Sequence, residues 1–182
     1  MASCDLSMRY AIWGAKGSIV DYIWPELGIQ GALQKSNVVV HIRITAPVGA
    51  RLLGRDQNIL MFEHTAEIIS VVKADVPSVR VGASIGFLQD AAGEVEDEGQ
   101  RFVGLNEPYE AGQSFIAFLR REGGYLVQSY GPTFTLRVTD AERVTFPSGP
   151  IPDESLAGDL RPDMPVDEAL AALRKLLSAK DP

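Results

Sequence analysis

Few residues in this 182-residue chain have side chains able to act on a bound molecule. His41 and His64 come first, since a neutral imidazole supplies a lone pair for a metal or a proton near neutral pH. Both fall in stretches where apolar residues recur every second position. That alternation sets His41 with Arg43 on a polar face, and His64 between Phe62 and Ala66 on an apolar one. Side chains on opposite faces of a sheet cannot share a ligand, so His64 reads as a hydrogen-bonded core residue.

Carboxylates are the next candidates. Glu63 and Glu67 share the polar face with His41 and Arg43, but four strand residues span about 13 Å, too far for an acid and nucleophile pair. Cross-strand ion pairs are the expectation there. Asp90, Glu94, Glu96, Asp97 and Glu98 crowd a stretch that reads as an acidic loop over 90–99. It is the place to look for a cation such as calcium, although it lacks the ligand alternation and central glycine of an EF-hand. Its plainer meaning is a solvated loop.

Nucleophiles and phosphate cradles are scarce. Cys4 is the sole cysteine, which excludes an intrachain disulfide, and it stands close to the start of the sequence. Ser18 and Ser129 have no nucleophile-elbow context, and no glycine-rich loop joins a strand to a helix. Phe115, Phe118, Tyr125, Tyr130 and Phe134 could stack nucleic-acid bases. No basic residues interleave with them, so core packing is the better account. With a net charge of −7 and a pI near 4.8, the chain repels phosphate backbones, and nucleic acid is not an expected partner.

The elements that would hold these residues are mostly strands. Periods of two run over 38–45 and 59–72, with Val38, Val40, Ile42 and Ile44 sharing one face of the first. Pro47 and Gly49 mark a bend, after which the strand resumes through Leu53, and 54–58 is turn chemistry. A third strand is expected over 79–87 and a short one around 102–105. The 115–119 stretch is apolar on both faces, and Gly123-Gly124 returns it as a hairpin to Tyr130. A last strand follows through Phe134, Leu136 and Val138. Ahead of all this, residues 1–36 form an apolar cover segment, with a short helix from Ser18 to Ile23 that Pro25 stops. A proline-rich linker over 147–165 leads to an amphipathic helix over 166–180, with Val166, Leu170, Leu173 and Leu177 at helical spacing. That helix either docks on the barrel or serves a partner.

The fold expected is therefore mostly β: a small antiparallel, OB-like barrel of five or six strands over 37–146, with a short N-terminal helical cover and a C-terminal amphipathic helix. The Pro-Tyr-Glu-Ala-Gly turn from Pro108 to Gly112, feeding Ser114 to Leu119 and then Gly123-Gly124-Tyr125, resembles bacterial exported proteins with an OB-type barrel. Their layout is similar to the netrin-like domains of metalloproteinase inhibitors. The resemblance implies a fold and an exported location. It carries no functional residue across, because those domains depend on paired cysteines and Cys4 is alone. No apolar run is long enough for a transmembrane helix, and the N-terminus lacks a signal-peptide core. The sequence as it stands reads as cytoplasmic, or as exported if a signal has been removed.

No catalytic set converges in the sequence, so the leading expectation is a non-catalytic binding module with a protein partner, recognised through loops 54–58, 90–99 and 106–112. A carboxylate-based or cation-dependent enzyme built on Glu63, Glu67 and the acidic stretch is one alternative. A structural component that assembles through its terminal segments is the other.

Overall fold

The computed structural model describes residues 29–53, 59–97, 100–105, 107–128, 135–146 and 158–179, with the backbone alone for 59, 92–97 and 100–105. Ten strands are present among the described residues. They are β1 (Val38–Ile44), β2 (Gly49–Leu53), β3 (Ile59–Ala74), β4 (Ser84–Asp90), β5 (Ala92–Asp97), β6 (Gln100–Leu105), β7 (Ser114–Glu122), β8 (Tyr125–Gln128), β9 (Leu136–Val138) and β10 (Val144–Thr145). Residues 29–35 form helix α1, and Val166–Ser178 forms helix α2.

Five strands close into a barrel in the order β1-β3-β4-β8-β7, with β7 returning to β1. Four of the five pairings are antiparallel, but β4 and β8 run parallel, meeting at Leu88 and Val127. The all-antiparallel expectation fails here for a topological reason. An odd number of strands, each reversing on its neighbour, cannot close without one parallel pair. Closure also needs curvature, which the 16-residue β3 supplies. Its pairing with β1 slips between Val39 and Val40, and again between His41 and Ile42. Two such bulges bend and twist a long strand around the barrel.

Alternation then sorts the side chains. Val38, Val40, Ile42 and Ile44 of β1 point inward and pack with Ala66 and Ile68 of β3, Ile85 and Phe87 of β4, and Phe115, Ala117 and Leu119 of β7. The interior is filled by these groups. The outer rows of β1 and β7 are buried as well. Val39, Ile116 and Phe118 lie beneath a second core built from α1, α2 and the β9–β10 pair.

Both helices use helical spacing to reach that core. Ile29, Ala32 and Leu33 of α1 are fully buried, as are Ala169 and Leu173 of α2. Two cations of the barrel and helices fasten the layers. Lys73 of β3 donates to the Leu33 and Gln34 carbonyls at the end of α1, satisfying acceptors that a helix C-terminus leaves open. Arg174 of α2 donates to Ser70 Oγ and the Val71 carbonyl of β3. The C-terminal helix thus docks on its own barrel. The end of the expected linker is also packed: Leu160 is buried, Arg143 pairs with Asp163 at 2.9 Å, and Val144 exchanges backbone hydrogen bonds with 163–164. Residues 147–157, the helix expected at 18–23 and the rest of the 1–28 cover lie outside the described residues.

Two other elements differ from expectation. The strand expected from Val79 begins only at Ser84. Val79 N–H bonds to Val76 and Ala83 N–H to Arg80, which makes successive turns, and Gly82 takes a φ of +77°. Alternation across 79–83 carried no information, because Val81 is 65% exposed. The acidic stretch expected as a loop is instead the first arm of a separate hairpin, β5 against β6. Val95 opposes Phe102 and Glu96 opposes Arg101, so the carboxylates there are spaced by a strand and not gathered by a loop.

Candidate binding face

After a bulge at 45–48, β2 continues the line of β1 along the same edge of β3, from Gly49 opposite Glu63 to Leu53 opposite Ile59, so the strand expected to resume through Leu53 does so. The β2–β3 pair is an arm that extends past the β1–β7 pairing. Among the described residues β2 pairs with β3 alone, so its other edge is open. Of the large apolar side chains left in water, Val48, Leu52, Leu60 and Tyr125 lie on this arm or beside it. Leu52 and Leu60 face each other directly across the two strands.

The arm is joined to the β7–β8 turn. Arg51 lies over the ring of Tyr125, 5.4 Å from its centroid, and its guanidinium also meets Glu63 at 2.5 Å. Tyr125 follows Gly123 and Gly124, whose φ values of +53° and +90° suit a turn that only glycine enters freely. Beneath Arg51 and Tyr125 sits a small apolar floor of Met61, Leu88 and Val127, with Leu53 at its edge. The result is a face of β3 and β4 flanked by two hairpin ends and floored by apolar side chains.

The candidate acids are dispersed across the molecule. Glu63 is committed to Arg51, while Glu67 stands opposite Arg43 on one side and Ser84 on the other. Asp90 closes β4 opposite Met61, and Glu94, Glu96 and Asp97 are strung along β5. Glu98 and loop 54–58 lie outside the described residues, as do Cys4, Ser18, Ser129, Tyr130 and Phe134. No three His, Cys, Asp or Glu side chains converge among the described residues. Phe115 is packed inside the barrel and Phe118 beneath the helices, so neither can stack on a base. Tyr125 is the one expected aromatic that is accessible among the described residues. No protein-family model matches the chain, and no curated protein matches its sequence.

The histidines occupy opposite faces. His41 lies on the outer row of β1 and is buried, with Nε2 2.9 Å from Ser114 Oγ. Ser114 in turn donates its hydroxyl to the Ile42 carbonyl at 3.0 Å. That leaves the oxygen to accept from the imidazole, the reverse of what an activated serine needs. Burial holds the His41 pKa below its ordinary value, against the opposing pull of Glu142.

His64 lies on the inner row at one end of the barrel. Its ring sits 5.2 Å from Phe87 and 5.1 Å from Tyr109, and Tyr109 stacks 4.2 Å from Phe115. His64 Nε2 meets Gln89 Oε1 at 2.8 Å, and Gln89 passes its own amide N–H to the Glu107 carbonyl. Tyr109 accepts a hydrogen bond from Gln128 and donates one to Thr135. Sequence reasoning found His64 but missed Gln89, Tyr109, Gln128 and Thr135. Gln89 was visible in principle, as a polar residue continuing the inward row of Ile85 and Phe87. Thr135 and Gln128 gave no signal, because only the tertiary fold brings them to Tyr109.

No helix among the described residues is long and apolar enough to cross a membrane.

Proposed function

We propose that the protein is a non-catalytic binding module on an OB-type barrel, and that it engages a protein partner through the β2–β3 arm. The observation that carries this reading is the exposed pair Leu52 and Leu60, facing each other on one face of the arm beside a β2 edge that no described strand covers. A flat edge without proline or lysine is a template for strand addition, and Gly49-Ala50-Arg51-Leu52-Leu53 contains neither. Open edges are normally blunted, so one left bare and apolar is suited to recognition.

The position of the arm supports the OB-type reading. OB barrels bind with the face of their second and third strands, between the loop joining strands one and two and that joining strands four and five. Counted along the closed barrel, those two loops correspond to the β2 arm and the β7–β8 turn, and the Arg51–Tyr125 contact bridges them. The face with Arg51 and Tyr125 carries Glu63 and Glu67; Arg51 pairs with Glu63, and Arg43 stands opposite Glu67. Such a face disfavours phosphate backbones and suits a peptide strand.

A photo-crosslinking residue placed at Leu52, with a control at Val81, tests this. Val81 is exposed too, but sits in the turn at the far end of β3. A discrete adduct from position 52 that is absent from position 81 and lost on Leu60→Lys is the expected result. Equal labelling from both positions, or none, would overturn the reading. An adduct made of two copies of the chain would replace the partner with self-assembly.

A further inference from the structure

We propose that His64 makes the 107–113 loop an acid-released cover on one end of the barrel. The loop is tied there to Gln89, whose other amide end meets the imidazole, and through Tyr109 to Gln128 and Thr135. Gln89 donates to the Glu107 carbonyl at 3.0 Å, and Tyr109 lies against His64 and Phe115. The Glu107 bond settles which end of the Gln89 amide faces His64, since only the NH2 group donates to a carbonyl. The amide oxygen therefore points at the imidazole and must accept from Nε2–H. In the neutral ring Nδ1 is then a bare lone pair. It is buried and has no hydrogen-bond partner among the described residues.

A proton added at Nδ1 creates a second N–H and a positive charge with no acceptor bonded to it among the described residues. Phe87 and Gln89 face the ring from β4, Tyr109 faces it from the loop, and Ala66 and Phe62 flank it on β3. Tyr109 is the one titrating group among these, and burial pushes its phenol up, so it stays neutral. Glu63 and Glu67 lie on the opposite row of β3, and Glu107 and Glu110 are exposed on the loop. Burial disfavours the charged ring, the Gln89 bond works the other way, and no carboxylate adds to either.

The charged ring is relieved when water reaches Nδ1, and the wall able to move is the loop. Strand walls are held by continuous ladders, whereas the loop rests on separate bonds: Gly112 N–H to the Ile44 carbonyl, Ile44 N–H to the Gln113 carbonyl, Gln113 N–H to Glu110, the Gln89 bond, and those of Tyr109 with Gln128 and Thr135. Its departure would bare Phe87 and Phe115 at the barrel end.

Amide hydrogen exchange of the full chain, corrected for intrinsic rates, tests this between about pH 7.5 and about pH 4.5. Protection at Gly112 and Gln113 is expected to fall by up to about tenfold per pH unit as pH drops from about 6.5, the value of an exposed imidazole, toward the lowered value of the covered ring, while Val40 and Ala117 hold. His64→Phe keeps a ring in place without a proton site and should leave the loop flat across the range. A flat loop in the natural protein, or an equal fall in His64→Phe, would overturn the proposal. Should that variant not fold, the natural protein decides alone. The pH at which the loop's fall levels off must coincide with the His64 titration read from its ring nitrogen shifts, and must stay put in Glu110→Gln. Divergence in either respect would also overturn it.

Discussion

The two sides of this barrel have been put to opposite uses. On one side, β1 and β7 are buried on both faces, inward against the barrel core and outward against α1, α2 and the β9–β10 pair. On the other, the β2–β3 arm extends past the β1–β7 pairing while β3 stays paired with β4, and it exposes apolar side chains and a β2 edge that no described strand covers. A strand sandwiched between two cores has no freedom to recognise anything. A strand projecting from a rigid barrel does, and the doubly buried side is what makes the barrel rigid.

The largest effect should come from removing a side chain that belongs to the sandwiched side. Phe118 is fully buried on the outer row of β7. Phe118→Ala is expected to cost about 3–5 kcal/mol in urea unfolding, from lost transfer energy and the cavity left behind. Leu52→Ala on the arm should change stability by no more than about 0.5 kcal/mol, because that side chain is already half in water. If the two variants were destabilised alike, the contrast between the sides would be false.

A smaller effect tests whether the helix layer belongs to the same cooperative unit. Leu173 of α2 is fully buried in the outer core, and Leu173→Ala should cost about 2–5 kcal/mol. Loss of helical and strand signals should share one shifted midpoint. A helix that melts alone, with the barrel midpoint unmoved, would make α2 an appendage.

Acid should weaken the sandwiched side and the barrel end more than the arm. Burial lowers the folded-state pKa of both His41 and His64. The unfolded chain then takes up protons more readily than the folded one. Their contribution is intact above an unfolded value of about 6.5 and is lost progressively as pH falls from there toward the lowered folded values. Urea midpoints measured through that window should decline, and His64→Phe should remove its share of the slope while leaving that of His41. A midpoint that rises on acidification would contradict the burial argument for both rings.

What could be read from the sequence divides along the same line. Strands rich in apolar residues announced themselves: every residue of 115–119 is apolar, and in 38–44 only His41 and Arg43 interrupt the row. The barrel followed from them. The bend at Pro47 and Gly49 and the resumed strand to Leu53 were legible too, but the lack of a second neighbour for β2 among the described strands was not. The β5–β6 hairpin was hidden by charge, as Glu94, Glu96 and Asp97 suit a loop better than a strand by composition alone. The network on Tyr109 was illegible for another reason. Gln128 and Thr135 lie seven residues apart in sequence, and only closure of the barrel end sets both on one phenol. The binding face itself was read only in fragments, through Glu63, Glu67 and Tyr125, because nothing local reveals that Arg51 reaches a ring on β8.

The smallest effect on stability belongs to the substitution with the most to say about function. Leu52→Lys puts an ammonium on a half-exposed position of an edge strand, the device by which natural sheets prevent unwanted pairing. The lysine stem can lie along the surface that leucine covers while its charge stays in water, so unfolding should shift by about 0.5 kcal/mol or less. Strand addition at the β2 edge should suffer far more, because a partner strand would have to desolvate that charge or leave its own side chain unpacked. The crosslink from the arm, moved to Ala50 for this purpose, is therefore expected to vanish in a protein that remains as stable as before. Persistence of the adduct would mean that the partner meets the arm through its side-chain face alone, with the open edge uninvolved.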